Sequence, residues 1–112
     1  MSLQINVTSE FAKAVKKLGK RYRSLPEDLR QFQESLIENP LQGVELTPGV
    51  RKVRMAIKSK GRGKSGSARV ITYNVLTSEK DGVITLLLIY DKEDDSTIKL
   101  EVVKKIVADL NL

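Results

Sequence analysis

The chain has 112 residues, 40% apolar and 30% charged, with no cysteine and no histidine. That describes a single globular domain, residues 1–112, able to bury its own core, and it excludes disulfides and any thiolate or imidazole metal site. The net charge of +6 is unevenly spread, because between Glu45 and Glu79 there are eight cations and no acid.

An acid-free run of this kind is the electrostatic footprint of a nucleic-acid binder. The opening residues, "MSLQINVTSEF", carry neither the basic stretch nor the apolar stretch of a secretory signal. The longest apolar run, Val83 to Tyr90, falls far short of the ~20 residues of a membrane-spanning helix. The expected compartment is the cytoplasm, with no membrane partner.

In chain order, "LQINVT" alternates Leu3, Ile5 and Val7 with polar residues and predicts a short strand. Thr8 or Ser9 is placed to cap a helix with Phe11, Val15 and Leu18 on its inner face and Lys13, Lys16 and Lys17 turned outward. Ser24 followed by Glu27 reads as a capping box, Pro26 suits a first helical turn, and Leu29, Phe32, Leu36 and Ile37 make an apolar stripe that Asn39 and Pro40 end. After the turn-rich "LTPGV" the period changes to two. Val53, Met55 and Ile57 share one parity and Lys52, Arg54, Lys58 and Lys60 the other, which predicts a strand with a core face and a cationic face.

"GRGKSGS" is then a glycine-rich hairpin loop whose amides can approach a phosphate, carrying Arg62 and Lys64. It lacks the spacing of a mononucleotide or dinucleotide fingerprint, so no cofactor is expected. "ARVITYNVL" and the nearly continuous apolar "GVITLLLIY" are two further strands joined by a "SEKDG" turn. "DDSTIKLEVVKKIVADL" returns to helical period, with Ser96 as cap and Val102, Val103, Ile106, Val107 and Leu110 as its apolar face. The expected architecture is α+β in the order β-α-α-β-β-β-α, a small, mainly antiparallel sheet with helices packed on one face.

The succession "VRKVRMAIKSKGRGKSGSARVITY", a turn, "ITLLLIYDKED" and a terminal amphipathic helix resembles the RelE/ParE superfamily of bacterial toxins, nearest to its HigB-type branch. The likeness covers roughly residues 48 to 110, and the helical hairpin before them more loosely. It implies a RelE-like fold and the toxin of a type II toxin–antitoxin pair, usually an endoribonuclease that cuts mRNA in the ribosomal A site. The implied partners are mRNA on the ribosome and a protein antitoxin, often one with a helix-turn-helix domain. By the same resemblance Arg69 matches the arginine that holds the scissile phosphate, and Lys58, Lys60 and Lys64 correspond loosely to the basic residues before it.

Metal-independent RNA cleavage uses the ribose 2′-OH as nucleophile. That hydroxyl must lose a proton, the charge on phosphorus must be stabilised, and the 5′-oxygen must be protonated. Without histidine the candidates are Arg69, Lys58, Lys60, Lys92, Tyr73 and Tyr90, with Lys52, Arg54, Arg62 and Lys64 binding the backbone. A free lysine is neutral only about once in 2,500 molecules at pH 7, so a basic lysine requires a cationic or buried setting. One departure stands out: where the family carries further cations, this chain has Asp91, Glu93, Asp94 and Asp95 around Lys92, and acids beside a phosphate site oppose binding. Two other readings remain open: a ParE-like inhibitor of DNA gyrase that cleaves nothing, and a passive nucleic-acid-binding module.

Overall fold

A computed structural model describes residues 2–60, 66–78, 80–93 and 99–110. The elements are β1 (Leu3–Val7), α1 (Ser9–Gly19), α2 (Leu25–Glu38), β2 (Val44–Thr47), β3 (Val50–Ala56), a 3-10 turn (Lys58–Lys60), β4 (Ser67–Ser78), β5 (Asp81–Asp91) and α3 (Leu100–Leu110). They form one five-stranded sheet in the order β1-β5-β4-β3-β2. Only β1 runs parallel to its neighbour, β5; every other pairing is antiparallel. The α+β class and the mainly antiparallel sheet are therefore as the sequence predicts.

Thr8 does cap α1: its Oγ1 accepts the Phe11 N–H at 2.9 Å and donates to the Leu87 carbonyl at 2.8 Å, which ties the helix to β5. The capping box at α2 does not form. The Ser24 hydroxyl turns instead to the buried Asp28 carboxylate at 2.6 Å, and Glu27 pairs with Arg30. Asp28 is the reason, since its other bond, from the Lys58 N–H at 3.2 Å, fastens α2 to the turn after β3. Ser96 lies outside the described residues. On α3 only Val103 and Ile106 are buried, while Val102 and Leu110 stay exposed, so the apolar face is narrower than expected.

Two features differ from the expected architecture. The first is β2, an additional strand. Thr47-Pro48-Gly49-Val50 turns it back on β3, with Gly49 at φ +82° as the third position of a type II turn requires. Four residues at a sheet edge, with an irregular register at Glu45–Thr47, are too few to show a period. Gly43 opens this strand at φ +80°, where an added Cβ would stand 2.2 Å from the Lys52 carbonyl oxygen. Gly43→Ala should therefore cost about 1–3 kcal/mol, seen as a lower urea midpoint at unchanged slope.

The second is the position of α3. Helices α1 and α2 cover one face of the sheet, with Phe11, Leu18, Leu25, Phe32 and Leu36 packed on Val53, Met55, Val70, Ile84 and Leu86. Helix α3 lies on the other face, where Val103 and Ile106 meet Val50, Ile71 and Leu87. The one-sided layer thus holds for α1 and α2 and fails for α3. Adjacent residues of both central strands, Val70 with Ile71 and Leu86 with Leu87, are fully buried. Strands apolar at both parities need cover on both faces.

Candidate functional site

The cationic face predicted for β3 forms in part, and the sheet register completes it. Arg54 is paired with Arg69 across β3 and β4, and Arg69 with Tyr90 across β4 and β5. All three side chains leave the sheet on the α3 side, because Val53, Met55, Ala68, Val70 and Ile89 occupy the opposite parity. Neighbours in such a row stand about 4.5–5.5 Å apart at Cβ. Lys52, paired with Ile71, extends the same face by one row.

Arg69 is half-buried, and its Nη1 donates to Ser67 Oγ at 2.8 Å and more weakly to the Ala68 carbonyl at 3.4 Å. Among the described residues no carboxylate pairs with Arg69, Arg54 or Lys52. Two guanidinium groups side by side without a counter-ion suit an anion with several oxygens, because each planar fork can donate two parallel bonds. Tyr90 ends the row, packed at the edge of the α3 cluster with its hydroxyl buried.

Lys60 does not join them. The strand ends at Ala56, and the 3-10 turn breaks the two-residue alternation, so Lys60 swings to the opposite face. There its Nζ bonds Asp91 Oδ1 at 2.8 Å, with side chains 7% and 0% exposed. Asp91 also accepts a short hydrogen bond from the Tyr22 hydroxyl, the Glu93 N–H at 3.0 Å, and an ion pair from Arg21 at 3.4 Å. Burial pushes the Asp91 carboxyl up, but the bonds from Lys60, Tyr22 and the Glu93 N–H outweigh it and hold the group below its usual range. The same bond to Asp91, then burial, raises the Tyr22 phenol. This cluster ties the turn, the end of β5 and the residues after α1 into one unit.

Asp91 therefore does not confront the Arg54–Arg69 face, contrary to the expectation from its place in the acidic run. It points away from Arg69 and is neutralised by cations. Glu93 is exposed, 3.8 Å from Lys60, while Asp94 and Asp95 lie outside the described residues, as do Arg62 and Lys64. Sequence reading missed Tyr22 and Asp91 as partners. The available signal was one acid closing an apolar strand, a position that calls for a buried counter-ion.

Lys58 is exposed and shares a cleft of about 210 Å³ with Arg54, Gln31, Ser35 and Gln42. Lys92 is exposed in the turn two residues beyond Tyr90. Tyr73 stands apart: it is paired with Val50 and Thr85, its ring lies over Gly49, and it packs into the α3 cluster. It lies four residue steps along β4 from Arg69, roughly 13 Å. The structure therefore sets Tyr73 among the apolar residues of the α3 cluster and not in the Arg69 row.

No protein-family model matches the sequence. Among solved structures, the fold is similar to an arginine-substituted mutant of the E. coli toxin RelE in the free state, with a TM-score of 0.56 and 17% identity. The match covers 86% of this chain and 90% of that one. The fold is thus RelE-like.

Proposed function

We propose that this chain is the toxin of a type II toxin–antitoxin system, of the HigB-like branch. Its activity in this reading is that of a cytoplasmic, metal-independent endoribonuclease cutting mRNA on the ribosome. The observation that carries the reading is the Arg54–Arg69–Tyr90 row, a pair of unneutralised guanidinium groups ending in a phenol on one sheet face. A RelE-like fold is compatible with it.

In this reading Arg69 holds the non-bridging oxygens of the scissile phosphate and stabilises the charge that grows there as the 2′-oxygen attacks. Arg54 adds a second fork from the neighbouring strand, and Lys52 binds the adjoining backbone. Tyr90, whose hydroxyl is buried in the free protein, delivers the proton that the 5′-oxygen takes up on leaving once binding uncovers it. With Lys60 bonded to Asp91, the amines left to draw the 2′-OH proton are Lys58, four residues beyond Arg54, and Lys92, two beyond Tyr90. The antitoxin would bring carboxylates, an amphipathic helix or both to the same face, and a helix-turn-helix domain is expected in it.

The test is inducible expression followed by mapping of transcript 5′ ends, with and without each adjacent short open reading frame. New ends within ribosome-bound messages, suppressed by one neighbour, are expected. Growth arrest with intact transcripts and inhibited supercoiling would replace this reading by the gyrase-directed one. Salt-sensitive RNA binding without cutting would leave only a passive module.

A further inference from the structure

The outer face of α1 carries a second, separate concentration of charge. Phe11 and Leu18 are buried and Ala14 and Val15 half-buried on the side facing the sheet, whereas Lys13, Lys16, Lys17 and Lys20 are all exposed. At 100° per residue these four lysines lie centred opposite the core side. Arg21 and Arg23 follow them, so residues 13–23 hold six cations and no acid. Among the described residues no carboxylate pairs with any of the four lysines.

Folding does not account for this pattern. A cation in the last turn is favourable to the helix dipole, which covers Lys16 and Lys17 but not Lys13. Against that, Lys13–Lys16, Lys13–Lys17, Lys16–Lys20 and Lys17–Lys20 are like charges at helical contact spacing, each unfavourable by about 0.2–0.5 kcal/mol. A face that served only solubility would mix signs, as α2 does where Arg30 reaches both Glu27 and Glu34.

We propose that this face of α1 is a second nucleic-acid surface, one that grips the phosphate backbone of base-paired RNA. The stripe is a straight, rigid row about 10 Å long at 1.5 Å per residue. It offers no aromatic ring, since Phe11 is buried, so single-stranded bases have nothing to stack on. Duplex RNA is bound through its shape and its phosphates and needs no such platform. The positive surface also continues to the turn after β3: Arg23 leads into Ser24, whose Oγ accepts the Ser59 N–H at 2.9 Å beside Lys58. The choice of RNA over DNA rests on the reading of the sheet face as an RNA site. The choice of a duplex rests on α1 alone.

The experiment compares the wild type with a Lys13→Gln, Lys16→Gln, Lys17→Gln, Lys20→Gln variant for binding to a 16-base-pair RNA duplex as a function of salt. Four phosphate contacts at ~0.9 each should make the variant's log–log salt slope shallower by about 3.6, equivalent to roughly a 150-fold smaller fall in affinity between 50 and 200 mM. Glutamine keeps helix propensity and removes the repulsion, so the variant should melt no lower than the wild type. A Lys99→Gln, Lys104→Gln, Lys105→Gln variant, altered on exposed lysines in or beside α3, should keep the wild-type slope. The proposal is overturned by an unchanged slope, an equal loss in the α3 control, tighter binding to a DNA duplex, or lysine-dependent binding to anionic vesicles in place of RNA. Binding is read here without cutting: absent cleavage with an intact duplex slope would sink the nuclease reading and leave this one standing.

Discussion

If the chain is the nuclease proposed above, replacing Arg69 by alanine should lower the rate of transcript cleavage by about 10²- to 10³-fold, the usual cost of losing one donor aimed at developing charge. Arg69 is the middle member of the row, paired on both sides, and its Nη1 is braced against Ser67, so its fork is held in place before substrate arrives. The loss should fall on the single-turnover rate at saturating ribosomes more than on binding, because Arg54 and Lys52 still hold the backbone. Arg69→Lys restores charge without the planar fork and should recover only part of the rate. Half-buried Lys52, one row along the same face, gives a contrast: Lys52→Ala should weaken binding at unchanged turnover. Equal cutting by wild type and Arg69→Ala would remove Arg69 from the mechanism.

The second large effect concerns stability. Asp91→Ala leaves the Lys60 ammonium almost fully buried with its main partner gone, and breaking a buried pair from one side costs about 3–5 kcal/mol. For a domain of this size that lowers the melting midpoint by roughly 12–20 °C at about 4 °C per kcal/mol. Lys60→Met combined with Asp91→Leu removes both charges and should recover most of the loss, as buried pairs replaced by apolar residues often do. A double variant as unstable as Asp91→Ala alone would show that the bonds from Tyr22, Arg21 and the Glu93 N–H carry the cluster instead.

The same cluster sets a pH dependence. The Asp91 carboxyl is held below its unfolded value, so its contribution is present above pH ~4 and is lost as pH falls through the lower folded value. The Tyr22 phenol is raised, so its contribution is present below pH ~10 and is lost as pH rises through the folded value. Stability of the wild type should decline at both ends, and Asp91→Ala should flatten the acid side of the curve. Arg21, Lys60 and Glu93 are the other charged groups around Asp91.

Periodicity revealed the elements it could span. Helices α1 and α2 have stripes of three and four apolar residues at helical spacing, and Thr8 and Asn39 bound them at chemically marked ends. Strand β2 was not legible, because four edge residues beside a Pro-Gly turn carry no repeat. For the site, local alternation correctly sent Lys52 and Arg54 to one face, but it extended the ladder to Lys60 across a turn that reverses direction. Tyr73, a candidate as a phenolic proton carrier, shares its strand and its parity with Arg69 but stands four residues along from it, a separation that residue type alone does not reveal.

What the sequence determined by itself was local and additive: the α+β class, the acid-free segment, and the parity of the longer strands, all of which follow from spacing along one chain. What only the tertiary structure decided was which residues from different segments meet. The pairing of Arg54, Arg69 and Tyr90 depends on the register of three strands, and the capture of Lys60 by Asp91 and Tyr22 depends on where a turn falls against β5. Register and burial arise from long-range packing, and a one-residue slip would turn every one of these side chains to the other face.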